Sequence, residues 1–309
     1  MDNIRLPLVS IMIPTYNQAK YIENTIDSAL SQDYSNLEII ISDDCSPDET
    51  QRICEKYLKK NCQIKYFRNK TNLGRVKNYH TTLFNRAKGE YVLNLDGDDL
   101  LTDKSFVSNG IKRILAIKNP DRPLLYIACK SAKKNNKIKK ILHKINEENK
   151  LIKGEDFIYG LFTKYKFSHL TTIYNRSEAL KHNFYSLNVI SSDSESLLKL
   201  ACHSNVMISK DIVGQWCEVD NNESLTVNFN KRLDNLKWIS SIDAYLKDKI
   251  PWKKRFVWKI KALYFNGRWV YSSLLRKENF STTNLKYLLK NKYFVYLLIL
   301  TPFFVIKNK

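Results

Sequence analysis

The sequence predicts an α/β protein with a mostly parallel central sheet flanked by helices, followed by a basic helical extension. Three observations carry that prediction. Short apolar, β-branched runs alternate with helical periodicities through the first hundred residues. Acidic residues gather just after two of those runs, as Asp43-Asp44 and as Asp96-Gly97-Asp98-Asp99. Charge is also divided: residues 231–309 hold 18 Lys or Arg against 4 Asp or Glu, so most of the net +20 belongs to the last quarter of the chain.

Residues 9–14 (VSIMIP) read as a buried strand that Pro14 stops. From 18 to 32, Tyr21, Ile22, Ile26, Ala29 and Leu30 recur at helical spacing. A second strand, 37–41 (LEIII), runs into Asp43, Asp44, Cys45 and Ser46, and Pro47 is expected to open a helix to 58 with Asp48 and Glu49 in its first turn. A short third strand, 64–67, precedes the Asn72-Leu73-Gly74 turn, from which a helix is expected to reach Ala87, with Gly89 as its stop. The fourth strand is the stretch 90–99, EYVLNLDGDD. Such alternation calls for right-handed parallel crossovers. The first strand–helix turn, PTYNQAK, has no glycine, so the dinucleotide-binding fingerprint is missing.

Further on, a helix is expected over 103–117, a strand over 124–129, an exposed loop over 130–150 and a strand over 168–174. Ser192, Asp193, Ser194 and Glu195 lead into a helix. A soft boundary near 221–230 divides the chain into residues 1–226 and 227–309. The second part is helical in pattern over 231–276 and rich in Trp and Tyr among Lys. Its apolar stretch 293–306 would reach about 21 Å as a helix, short of the ~30 Å hydrocarbon core, and Pro302 interrupts it, so it is expected to lie on a membrane face. Six cysteines without CxxC pairs, five unclustered histidines and no leader-like start fit a reducing cytoplasm, with neither a disulfide frame nor a zinc site.

The chemistry concentrates at strand ends. Three carboxylates around Gly97 repel one another and resist burial, so fold stability alone does not call for them. A hard divalent cation, Mg²⁺ or Mn²⁺, reverses that cost, and ligands of open α/β sheets bind beyond the carboxyl ends of strands. A solvated acidic turn is the plain alternative.

The blocks VSIMIPTYN, EIIISDDCSPDET, NLG and AKGEYVLNLDGDD, in that order over residues 8–103, resemble the inverting family-two glycosyltransferases of the GT-A, Rossmann-like fold. The likeness continues more weakly to about residue 226. It implies a nucleotide-diphosphate sugar donor, Mn²⁺ or Mg²⁺ as cofactor, and single-displacement inversion. Carried over by position, Pro14, Thr15 and Tyr16 line the base pocket, and Asp44 accepts from the base. Asp96 and Gly97 face the ribose, Asp98 binds the metal with Asp96 beside it, and Lys77 or Arg75 is a candidate for the diphosphate. Asp193 is the candidate catalytic base, with Ser192 where the family usually has Glu, and Glu195 is its understudy. An Arg-x-His that the family often carries is replaced by Trp216-Cys217-Glu218.

The implied acceptor is a saccharide in the polyprenyl-diphosphate-linked form used for surface O-antigen or capsule synthesis; the implied location is cytoplasmic, on the inner face of the cell membrane. The basic tail adds an anionic membrane surface as a partner, while nucleic acid is not expected. The sequence is silent on oligomeric state, sugar and linkage. Two alternatives compete. Asp96-Gly97-Asp98 matches a haloacid-dehalogenase-like phosphatase poorly, since that motif sits on a first strand with Thr after the glycine. A basic membrane- or RNA-binding protein explains the tail but not the aspartates at two separate strand ends.

Overall fold

The computed structural model describes residues 6–134, 137–141, 145, 150–219, 228–274, 281–291 and 293. The chain divides into two compact units, Met1–Ser186 with Ser196–Val219, and Leu187–Glu195 with Asp220–Lys309. The sequence boundary after 226 falls among residues 220–227, outside the described residues.

The first unit opens with β1 (Val9–Thr15), α1 (Ile22–Leu30), β2 (Leu37–Asp43), α2 (Thr50–Leu58), β3 (Ile64–Arg68), α3 (Arg75–Thr81) and β4 (Tyr91–Asn94). It continues with β5 (Leu100–Leu101), α4 (Phe106–Leu115), β6 (Leu125–Lys134), β7 (Lys137–Ile141), β8 (Lys150–Ile152), α5 (Gly154–Gly160), β9 (Thr172–Asn175) and α6 (Arg176–Lys181). Helix α7 (Ser192–Ala201) precedes β10 (Val206–Cys217). The sheet order is β3-β2-β1-β4-β9-β6-β10-β5, with β7 on β6 and β8 on β10. Strands β3, β2, β1 and β4 are mutually parallel, as are β6 and β10, and β9 runs antiparallel between β4 and β6.

Every residue of β1 and β2 is buried, as helix-covered parallel strands require. Their register pairs Pro14 with Ser42 and Thr15 with Asp43, while Met12 pairs with Asn94 of β4. β1 and β2 therefore end level and β4 ends opposite Met12, three residues short, so the loops that follow all three share one edge of the sheet.

Buried Glu38 of β2 ties this core together. It accepts from the Ser10 hydroxyl at 2.6 Å, Lys65 Nζ at 2.6 Å and the Lys88 backbone N–H at 2.7 Å. Burial opposes its charge, yet these donors hold its pKa below the ordinary carboxylate range. Its contribution is present above the unfolded-state pKa and is lost as pH falls through the depressed folded value. Glu38→Ala is expected to cost about 1–3 kcal/mol in urea denaturation, by stranding buried donors.

Several sequence expectations shift. Helix α2 begins at Thr50, three residues beyond Pro47, and Asp48 lies in the turn ahead of it, its carboxylate accepting from Thr50 N at 3.1 Å. The helix expected to run to Ala87 is α3 plus a π-helical turn, Thr82–Arg86, and it ends before Gly89. The loop expected over 130–150 is partly sheet, since β6 runs on to Lys134 and β7 pairs back against it. The strand expected at 168–174 is a 3₁₀ turn, His169–Thr171, followed by β9.

In the second unit the helical pattern resolves into α8 (Phe229–Asn235), α9 (Lys237–Tyr245), α10 (Trp252–Leu274) and α11 (Thr282–Lys290). Its core includes Phe229, Leu233, Ile239, Ile242 and Leu263, with Trp238 edge-on to Trp258 at 6.2 Å between rings. The apolar stretch 293–306 lies outside the described residues apart from Tyr293, whose hydroxyl is 2.6 Å from Ser240 Oγ. Among the described residues no helix is long and apolar enough to cross a membrane.

Candidate functional site

The site grows from the end of β1. The carbonyl of Thr15 accepts from Asp44 N at 2.9 Å, and that of Pro14 accepts from Gly97 N at 3.2 Å, so one strand end holds both acidic loops. The turn that follows is latched to the β2–α2 loop. Asn17 N donates to Ser46 Oγ at 3.0 Å, Gln18 N to Thr50 Oγ1 at 3.1 Å and Ala19 N to Asp48 at 2.9 Å. Asn17 turns the chain with a φ of 57°. Pro14 and Thr15 stay buried, while Tyr16 is left with its side chain 48% exposed at the sheet edge.

Asp44 is buried and organises the 72–74 turn. It accepts from Leu73 N and Gly74 N, both at 2.8 Å, and from the Asn69 amide at 2.7 Å. Gly74 adopts a φ of +83°, which favours glycine, so the turn and the carboxylate suit one another. Behind them lies a buried polar network in which Asn78 links Asn69 to Ser42 and Arg86 donates to Asn69 and Ser42. Asp43 faces elsewhere, accepting from Ser46 N at 2.8 Å and from the Tyr66 hydroxyl at 2.7 Å. Of the pair, Asp44 is the one joined to the glycine turn.

The loop after β4 carries the second cluster. Gly97 packs so closely on β1 that an added Cβ would meet Gln18 Oε1 at 2.3 Å and Thr15 Oγ1 at 2.8 Å. Thr15 donates to Gln18 Oε1 at 2.7 Å, and the Gln18 amide hydrogen-bonds Asp98. Asp96 accepts from the Tyr79 hydroxyl at 2.6 Å and lies 3.1 Å from His169 Nε2. The Arg75 guanidinium sits 5.5 Å from the Tyr79 ring centroid. Asp99 is buried and accepts from Cys217 N at 2.9 Å, tying the loop to the end of β10.

The three carboxyls are driven apart. Burial would raise Asp96, but His169, Tyr79 and Arg75 hold it down to about 2. Burial and the Asp96 charge push Asp98 up to about 7, and burial with both neighbours pushes Asp99 well above the ordinary range. A cation would relieve that repulsion, and the carboxylate oxygens are hard donors suited to Mg²⁺ or Mn²⁺. Among the described residues no group of three His, Cys, Asp or Glu side chains is arranged as a complete ligand set. The carboxylates of Asp98 and Asp96 could hold such a metal only if it took its remaining oxygens from a bound anion or water.

Of the sequence candidates, Pro14, Thr15, Tyr16, Asp44, Asp96, Gly97 and Asp98 gather at this edge. Lys77 does not: it is exposed on α3, two residues from Arg75 and Tyr79, which share the face toward Asp96. Asp193 is half-buried in the first turn of α7 and belongs to the second unit, as does Glu195. Glu195, the understudy, is 1% exposed and accepts from Ser241 Oγ at 2.5 Å, so it is more deeply buried than Asp193.

Sequence reasoning passed over Gln18, Tyr79 and His169. Tyr79 had a signal, since Arg75 and Tyr79 are i,i+4 after the glycine turn. His169 had none, standing 73 residues from Asp96 in sequence. Antiparallel pairing of Val92 with Tyr174 brings the start of β9 beside the end of β4, and His169 with it.

Residues 10–121 match the family described as Glycosyl transferase family 2. A Campylobacter jejuni GalNAc(5)-diNAcBac-PP-undecaprenol beta-1,3-glucosyltransferase is 28% identical over 58% of this chain and 57% of its own length, so the chain spans little more than half of that relative. The structure of Staphylococcus aureus TarS 1–349 with UDP-GlcNAc superposes with a TM-score of 0.63 at 22% identity, covering 92% of this chain and 76% of that one. The Pyrobaculum calidifontis mannosyltransferase PcManGT with GDP-Man and Mn²⁺ superposes at 0.58 and 17% identity over 98% of this chain and 88% of its own. Residues 10–121 are a glycosyl transferase family 2 domain, set in a chain with the GT-A fold.

Proposed function

We propose that the protein is a metal-dependent inverting glycosyltransferase. It moves a hexose or N-acetylhexosamine from a nucleotide-diphosphate sugar, a UDP-sugar first among them, to a saccharide acceptor. Residues 1–226 bind the donor and catalyse transfer; residues 227–309 are the basic helical region. The observation that carries this reading is the meeting, at the end of β1, of the Asp44–Gly74 turn with the Asp96–Asp98 loop. One edge thereby offers an exposed aromatic ring, a buried acid, a glycine turn and a carboxylate pair, which together suit a base, a ribose and a metal-bound diphosphate. The UDP-GlcNAc and GDP-Man–Mn²⁺ complexes of the structural relatives support the same ligand class.

In this reading the base stacks on Tyr16, contributing about 0.5–1.5 kcal/mol. Asp44 accepts from the base edge and keeps the 72–74 turn in place beneath it. Asp98 and Asp96 would hold Mn²⁺ or Mg²⁺, whose positive charge would stabilise a departing diphosphate. Arg75, held over Tyr79, adds charge from the protein where the Arg-x-His of the family is missing. Asp193 accepts the proton of the acceptor hydroxyl as its oxygen bonds to the anomeric carbon, and the electron pair of the broken C–O bond leaves with the nucleoside diphosphate. No covalent enzyme intermediate is needed.

The acceptor is a polyprenyl-diphosphate-linked saccharide of a surface glycan such as O-antigen or capsule. Two things support it: the undecaprenol-linked substrate in the Campylobacter relative's name, and the basic region, which suits peripheral attachment to an anionic membrane from the cytoplasmic side. A hydrolysis panel across UDP-, GDP- and dTDP-sugars with Mn²⁺ tests the class. Turnover of one nucleotide sugar is expected, and phosphate release from simple phosphomonoesters instead would favour the phosphatase reading. Asp44→Ala is expected to weaken UDP binding about tenfold or more, about 1.4 kcal/mol, by calorimetry. Unchanged affinity would reduce Asp44 to a clamp on the turn.

A further inference from the structure

At the start of α10 the chain leaves large apolar side chains in the open. Trp252 and Phe256 stand one turn apart, 68% and 54% exposed, with Val257 beside them at 47%. The next residue, Trp258, is 1% exposed, so the helix already has a buried face at this level and the open face is a separate one. Close to the three in sequence stand the exposed lysines Lys247, Lys249, Lys253 and Lys254, with Lys253 Nζ 5.9 Å from the Trp252 ring centroid. Asp248 is the one acid in the sequence from 244 to 257. Arg255 and Lys259 pair with Asp243 at 3.1 and 2.9 Å and fix this end of the helix.

We propose that this corner, residues 247–257, is the contact through which the protein binds an anionic phospholipid surface. The proposal rests on the peripheral attachment read above and names the face that makes it. Indole and phenyl rings enter the boundary between headgroups and acyl chains, while lysines on flexible stems keep their charge among the headgroups. Exposed apolar bulk ringed by like charge fits few other partners. A symmetric contact with a second copy would bring the same four lysines against their own counterparts. A single-stranded nucleic acid would use the lysines and the rings but gains no stacking from Val257. An acidic phospholipid interface uses the rings, the aliphatic side chain and the lysines together.

The test is flotation of the full chain with phosphatidylcholine vesicles, alone or with about 30 mol% phosphatidylglycerol. Two variants are compared with the unaltered chain: Trp252→Ala with Phe256→Ala, and the four lysines replaced by Gln. The unaltered chain is expected to float only with the anionic vesicles and to be released by salt. Each variant is expected to float about fivefold less, with an unchanged melting temperature and an unchanged thermal shift on adding UDP. Equal flotation of all three proteins would overturn the assignment of the contact to this corner and leave peripheral attachment standing. Failure of the unaltered chain to float would remove both. Tighter binding to a short single-stranded RNA than to anionic vesicles, or a dimer by sedimentation that the variants abolish without any flotation, would also overturn the proposal.

Discussion

Asp98→Asn is expected to abolish glycosyl transfer while leaving the fold intact. The substitution keeps the side chain's shape, and the new amide still has the Gln18 side chain beside it. It removes the charge that burial and Asp96 already make costly, so the folded chain without a cation should melt at the same temperature or slightly higher. What it loses is affinity for the cation. The increase in melting temperature on adding Mn²⁺ with UDP should vanish, because stabilisation by a ligand requires that the native state bind it. Loss of charge stabilisation at the leaving diphosphate is expected to lower turnover by at least about 10²–10³. Full activity of the unaltered enzyme in excess EDTA would contradict the metal's role outright. The neighbouring Asp99→Asn should behave differently: its carboxyl accepts from Cys217 N, so the effect should fall on stability before it falls on chemistry.

Asp193→Asn is the second large effect. Inverting transfer needs one general base, and removing such a base typically costs about 10²–10⁴ in rate. Asp193 is half-buried in the first turn of α7. The kcat of Asp193→Asn should fall by that order, with UDP affinity and the Mn²⁺ thermal shift nearly unchanged. Asp98→Asn damages both, so the two variants separate metal binding from proton transfer. Glu195→Gln is the informative companion. Its carboxylate is buried against Ser241 Oγ, so it should lower the melting temperature with little direct effect on chemistry. Near-normal turnover in Asp193→Asn together with loss in Glu195→Gln would move the base two residues along the helix.

How far the sequence carries depends on the range of the interactions. The strands β1, β2 and β4 were legible because parallel strands buried on both faces need unbroken apolar runs, and each run here ends in polar residues at the sheet edge. Asp96 and Asp98 were legible for the same reason, as charges that fold stability does not call for placed directly after a buried strand, and Asp44 was legible through the family resemblance. The roles inside each acidic pair came only from the family resemblance. Asp43 and Asp44 differ only in which loop their side chains meet, Tyr66 and Ser46 for one, the 72–74 turn for the other. Gln18, Tyr79 and His169 escaped because each is an ordinary residue until tertiary contacts bring it to the aspartates. The extension of β6 and its pairing with β7 went unread because the Lys- and Asn-rich composition of that stretch argues for a loop, and sheet pairing outweighs it. The exposed ring pair on α10 likewise has the same composition as the buried tryptophan two residues past it, and only the packed helix separates them.

The central claim, inverting transfer from a nucleotide sugar, is tested most directly by the anomeric configuration of the sugar first released when water replaces the acceptor. With Mn²⁺ and the UDP-α-sugar that the hydrolysis panel selects, proton NMR in the first minutes should show the β-anomer ahead of mutarotation. Release of the α-anomer, or no turnover of any nucleotide sugar by the full chain, would contradict it.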